Sequence, residues 1–130
     1  MTKSCSSENY LKSILILFNR KGKVRSVDVA KELGVSKPSV CVAMKKLRQE
    51  NLIYFNEEGH ILFTDLGKTV AEKIYNKHLL LSKMFRSIGV SEHTADNDAC
   101  LLEHSISDET YECLSRFYRN TLEPTMENAG

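Results

Sequence analysis

A chain of 130 residues with 42% hydrophobic content can bury one continuous core or two small ones. It has no apolar run near the roughly 18 residues needed to cross a bilayer. Its polar start, Met1 to Asn9, has no signal-peptide hydrophobic region, which predicts a cytoplasmic protein. The four cysteines, at 5, 41, 100 and 113, form neither a CxxC pair nor a compact framework, and they read as reduced thiols. The formal charge is +1, but residues 1–62 carry eleven Lys or Arg against six Asp or Glu, and residues 63–130 carry seven against eleven. A basic half suits a polyanion and an acidic half suits cations; chance clustering on solvated faces is the competing explanation.

In chain order, Ser7 to Arg20 places Leu11, Ile14, Leu15, Leu17 and Phe18 at helical spacing and closes on Arg20, Lys21 and Gly22. After the short link Lys23-Val24-Arg25, Ser26 is expected to cap a two-turn helix that buries Val29, Ala30 and Leu33 and stops at Gly34. A third helix opens on Ser36 with Pro38 in its first turn, where the missing N–H is harmless, and turns Val40, Met44 and Leu47 inward. Two short helices joined by Gly34-Val35, the later one carrying Lys37, Lys45, Lys46 and Arg48, form the helix-turn-helix arrangement. A helix fits the major groove, its N-terminal N–H groups receive phosphate, and its cations neutralise the backbone. The bland alternative is a solvated charged face. Leu52–Phe55 and His60–Phe63 around Asn56-Glu57-Glu58-Gly59 read as a β-hairpin, and a helix-turn-helix followed at once by a hairpin has the order of a winged helix. Glu57 and Glu58 make its tip a poor phosphate ligand.

From Thr64, as cap, a long helix is predicted to about Ile88, with Leu66, Val70, Ile74, His78, Leu81 and Phe85 in one stripe. Gly89 ends it, Ser91 starts a fifth helix to about Glu103, and Ser107 starts a sixth bearing Tyr111, Leu114, Phe117 and Tyr118. Such a small C-terminal lobe has little core of its own, so the exposed face of Leu114, Phe117 and Tyr118 predicts a homodimer. The expected fold is thus mainly α: a winged helix-turn-helix domain with a two-stranded wing over 1–64, joined by a long helix to an α-helical dimerisation and metal-binding domain over 65–130.

The candidate chemistry lies at the end of the fifth helix, where Asp96, Cys100, Glu103 and His104 recur at helical spacing. Thiolate, carboxylate and imidazole are the donors a first-row transition metal takes. A polar surface with a buried structural cysteine is the alternative, and His78, inside an apolar stripe, is either a satisfied core residue or a further ligand. No oxyanion loop or orienting partner accompanies Cys100 and His104, so no catalytic residue is expected.

Taken together and in order, these segments resemble the diphtheria-toxin-repressor and manganese-transport-regulator family of metal-dependent transcriptional repressors. The residues that carry the resemblance are Tyr10-Leu11, Val24-Arg25-x-x-Asp28-Val29-Ala30, Ser36-x-Pro38-Ser39-Val40, Lys45-Lys46-Leu47, Leu52-Ile53, Leu62-x-Thr64-x-x-Gly67, His78-x-Leu80-Leu81 and Ala99-Cys100-x-x-Glu103-His104-x-Ile106-Ser107. The resemblance implies a homodimer that binds a palindromic double-stranded operator when loaded with Fe(II) or Mn(II), with cobalt, nickel or zinc as substitutes in vitro. It also implies that the SH3-like third domain of the iron type does not follow. The manganese type carries two first-helix carboxylates where this sequence has Asn9 and Lys12, and a carboxylate where it has Cys100. The iron type carries a glutamine where it has Val42. The expected metal residues are therefore Cys100, Glu103 and His104, with His78 adjacent, Asn9 as a link to the DNA-binding lobe and Asp96 in a weaker second site. The expected DNA contacts are Arg25, Ser36, Lys37, Pro38, Ser39, Lys45 and Lys46. A winged-helix regulator that is metal-independent or gated by a thiol, and a winged-helix module that docks another protein, are the alternatives.

Overall fold

Over residues 6–122, which the computed structural model describes, the elements are α1 (Ser7–Lys21), α2 (Ser26–Leu33), α3 (Lys37–Gln49), β1 (Ile53–Phe55), β2 (Ile61–Phe63), α4 (Asp65–Ser87), α5 (Glu92–Leu102) and α6 (Asp108–Phe117). A π-helical turn, Tyr118–Leu122, closes the described chain. Two compact units divide inside α4, the first running to Lys73 and the second starting at Ile74. Sequence reasoning sets the junction nine residues earlier, at the cap of that helix.

The first unit is a helix-turn-helix with a hairpin. Ser6 caps α1 by accepting from Asn9 N–H, and Gly22 ends the helix at φ 80°. Ser36 caps α3 by accepting from Ser39 N–H, with Pro38 in the first turn as expected. α2 departs from expectation, because Ser26 lies inside the helix and Arg25 occupies the capping position. Asp28 performs the cap in reverse: its carboxylate accepts from Arg25 N–H at 2.9 Å and from Lys21 Nζ at 3.0 Å. These two bonds, the backbone one foremost, hold the Asp28 carboxyl below the usual aspartate range. The core of the unit is Tyr10, Leu11, Ile14, Leu15, Leu17, Val24, Val29, Val40, Met44, Leu47, Ile53 and Ile61. Phe18, expected on the apolar face of α1, is 39% exposed.

β1 and β2 pair antiparallel with Ile53 opposite Phe63 and Phe55 opposite Ile61. Asn56 builds the turn: its side-chain oxygen accepts from Glu58 N–H and His60 N–H, and Gly59 adopts φ 83°. Ile61 N–H also donates to Val24 carbonyl at 2.7 Å, so the link between α1 and α2 is tied to the hairpin by its backbone. Thr64 caps α4 as predicted, its hydroxyl accepting from Gly67 N–H at 3.0 Å and donating to Asn51 carbonyl at 2.7 Å. Gly67 then meets Leu52 so closely that a Cβ there would lie 1.7 Å from the Leu52 carbonyl oxygen. This contact explains why Leu66, predicted to face inward, is 52% exposed: one residue is about 100° of helix, and Gly67 holds the inward position.

In the second unit, α4 buries Ile74, Lys77, Leu81 and Ser82 while His78 is half-buried, and α5 buries Ala95 and Ala99. Gly89, at φ 102°, follows α4. Ser107 caps α6 by accepting from Thr110 N–H at 3.1 Å. α6 itself has no buried residue: Phe117 is 54% exposed and Leu114 half-buried. Tyr118, grouped with them in the sequence reading, is instead buried within its own chain at 5% exposure.

Gly67→Ala is expected to destabilise the first unit by about 3 kcal/mol, because the methyl group overlaps a backbone carbonyl that cannot rotate away. Urea unfolding monitored by circular dichroism measures the loss, and an alanine variant as stable as the parent contradicts the close approach.

Candidate metal centre and nucleic-acid interface

In the first unit every residue expected to meet DNA is at the surface: Arg25, Ser36, Lys37, Pro38, Ser39, Lys45 and Lys46 are all exposed. The Ser36 hydroxyl bonds the Ser39 hydroxyl at 2.9 Å, which fixes both at the start of α3. A cleft of about 570 Å³ between the first turns of α1 and α3 is lined by Ser6, Tyr10, Pro38, Ser39, Val42 and Lys46. Val42 is 71% exposed in the middle of this face, an unburied apolar side chain among hydroxyls and ammonium groups. Arg25 lies against the hairpin turn, its Nη1 3.3 Å from where a Gly59 Cβ would stand. Arg48, absent from the expected contact set, places its guanidinium 5.8 Å from the centre of the Phe55 ring. No sequence signal pairs these two, because the meeting depends on how the hairpin returns.

In the second unit three expected metal residues converge. His78 on α4, Cys100 on α5 and Glu103 at the end of α5 hold ligand atoms that all lie within 4.8 Å of one another. His78 Nδ1 and Glu103 Oε1 are hydrogen-bonded at 2.8 Å, and Cys100 Sγ lies 3.7 Å from the same nitrogen. Metal–donor bonds of roughly 2.0–2.3 Å put neighbouring donors at separations of this order, so the trio fits a first-row divalent ion. The Glu103 side chain is wholly buried and that of His78 is 14% exposed. A carboxylate so placed is costly unless a cation or a proton donor faces it.

The other three expected residues stand differently. His104 lies beyond the last turn of α5, with Nε2 3.5 Å from Glu103 Oε2, on the opposite oxygen from His78. After Leu102 the chain turns, with Leu102 carbonyl accepting from both Ser105 and Ile106 N–H, and His104 lies in that turn. Asp96 accepts a 2.6 Å hydrogen bond from buried Ser82. Asn9 belongs to α1 of the first unit, where its N–H is capped by Ser6. Lys77, not singled out by sequence, is buried one position before His78 and bonds Ile106 carbonyl and Asp108. A lysine inside an apolar stripe was its only signal. Cys41, Cys100 and Cys113 are free thiols, and Cys5 lies outside the described residues.

Comparison with known proteins gives two family matches. A family model described as the iron dependent repressor, N-terminal DNA binding domain, matches residues 4–61. A second, described as the iron dependent repressor, metal binding and dimerisation domain, matches residues 64–123. Among solved structures, the manganese regulator SloR is 30% identical, with a TM-score of 0.79, over 90% of this chain and 55% of its own. IdeR of T. acidophilum is 27% identical, with a TM-score of 0.76, over 89% and 55%. ScaR, solved with bound Zn2+, is 30% identical, with a TM-score of 0.73, over 88% and 54%. The chain thus spans about half the length of these three structures. Among the described residues no helix is long and apolar enough to cross a membrane.

Proposed function

Since the chain belongs to the iron-dependent-repressor family, we propose that it is a homodimeric, cytoplasmic transcriptional repressor that binds duplex DNA under the control of a divalent transition metal, and is not an enzyme. The observation that carries this reading is the His78, Cys100 and Glu103 cluster, in a second unit whose partner unit is a winged helix with an exposed basic face.

On the DNA side, Ser36 and Ser39 offer hydroxyls and α3 offers its first N–H groups to a phosphate. Lys37, Lys45, Lys46 and Arg25 add the charge that displaces counterions. On the metal side, the bound ion supplies a positive charge that compensates the buried Glu103 carboxylate. His78 and Glu103 orient one another beforehand, which limits the entropy lost on binding. A thiolate beside one imidazole and one carboxylate favours Fe(II), Co(II) or Zn(II) over Mn(II), because sulfur is the softer donor. The metal can raise DNA affinity only if the DNA-competent arrangement binds it more tightly than the other. Dimerisation fits α6, whose Leu114 and Phe117 have little cover within the chain.

Operator binding should be abolished by chelation and restored by Fe(II) or Co(II). Lys37→Ala and Lys45→Ala should each weaken binding to all sequences alike, flattening the salt dependence by about one unit per lost phosphate contact. A slope unchanged in both variants rules out this face as the interface. For the metal, one tight ion per chain is expected, and Cys100→Ser with Glu103→Ala should lose it; undiminished uptake by the double variant places the ion elsewhere. Sedimentation should give about twice the 14.8 kDa chain mass with or without metal, and a stable monomer at micromolar concentration refutes the dimer.

A further inference from the structure

We propose that Lys77 is a positioning residue of the metal centre, fixing the segment between α5 and α6 that presents Glu103; the inference rests on the metal reading above. Lys77 is only 9% exposed, an unusual place for an ammonium group. Its Nζ donates to Ile106 carbonyl at 3.2 Å and pairs with Asp108 Oδ1 at 3.3 Å, and these contacts offset the cost of burial. The next residue, His78, bonds Glu103 at 2.8 Å. One turn of α4 therefore grips both ends of the same short link, Glu103 through His78 and Ile106 to Asp108 through Lys77.

The link needs such a grip. α5 ends at Leu102 with Glu103 as its C-cap, in helical conformation and with its N–H on Ala99 carbonyl at 2.9 Å, so the chain leaves the helix directly after the ligand and its placement is set jointly by α5 and by the five residues that follow. Their backbone is folded by the two bonds onto Leu102 carbonyl, and Ser107 then caps α6. Remove the Lys77 donor and Ile106 carbonyl loses this anchor, Asp108 this ion pair, and the chain after Glu103 its tie to the turn of α4 that carries His78. A ligand must be held within about 0.5 Å to bind well, and losing an outer partner of a metal ligand typically costs about 10–100-fold in affinity.

The test is a Co(II) titration of the full chain, followed by thiolate-to-cobalt charge-transfer absorption and by competition with a chelator. Lys77→Met keeps the aliphatic stem and removes the donor; it should weaken Co(II) by about 10–100-fold and shift the absorption band, while Lys77→Arg should recover affinity to within about threefold. Should Lys77→Met fold poorly, Asp108→Asn, at a 63% exposed side chain, keeps the side-chain size, removes the charge paired with Lys77 and should weaken Co(II) by about threefold. Binding within twofold of the parent in Lys77→Met, or in Asp108→Asn where that variant is the one measured, overturns the proposal. Equal losses in Lys77→Met and Lys77→Arg do the same, since a packing role would not be rescued by a second cation. A parent chain that takes up no Co(II) fails the metal reading itself, and this inference with it.

Discussion

The carboxylate of Glu103 is taken out of water at the end of a helix in a unit of fewer than sixty residues, and the second unit is organised around that cost. A carboxylate in such a place needs a cation or hydrogen-bond donors within reach. His78 faces one oxygen and His104 the other, and Cys100 completes a set of donors of the kinds a transition metal takes. The same feature that makes the apo unit dependent on local hydrogen bonds makes it receptive to a divalent ion. Apolar packing is correspondingly thin here: Ile74, Leu81, Ala95, Ala99 and Tyr118 make up most of it. With so little core, polar contacts such as Lys77 to Ile106 and Asp108, and Ser82 to Asp96, carry more of the specification of this unit than they would in a larger domain.

The first unit is built on the opposite principle. Its helices pack a dense aliphatic core, and its polar devices sit at helix starts and turns: Ser6, Ser36, Asp28, Asn56 and Thr64. Three backbone constraints hold hairpin and helices in fixed relation, namely Ile61 N–H to Val24 carbonyl, Thr64 N–H to Leu52 carbonyl, and the Gly67 approach to Leu52. Fixing the scaffold this way leaves the outward face of α3 free of structural duty. Its lysines, serines and the apolar Val42 are therefore available to a ligand surface, and the acidic tip at Glu57 and Glu58 is separate from them in the chain.

Cysteine in the candidate metal cluster bears on the chemistry as well as the affinity. A thiolate is a softer donor than the carboxylate that the manganese type places at this point, and it is also the group in the cluster open to oxidation. Its half-buried position, against the imidazole of His78, limits access from solvent without removing it.

Helix periodicity, cap residues and glycine stops are local properties, and reading them from the chain places six helices and a hairpin within a few residues of where they lie. Cys100 and Glu103 were legible for the same reason, since two residues three positions apart lie near each other on a helix. Other features depend on contacts between segments far apart in the chain, and only the tertiary structure decided them. Thus Leu66 turns outward because Gly67 abuts Leu52, and Tyr118 packs inward beside exposed Phe117. The choice of His78 over Asp96 as neighbour of Cys100 and Glu103 was tertiary too: Ser82, one turn along α4, takes Asp96 for itself. Periodicity assigns a residue to a face, but which atom meets it there is settled by the packing of a second element, and that information is spread over segments that no local window contains.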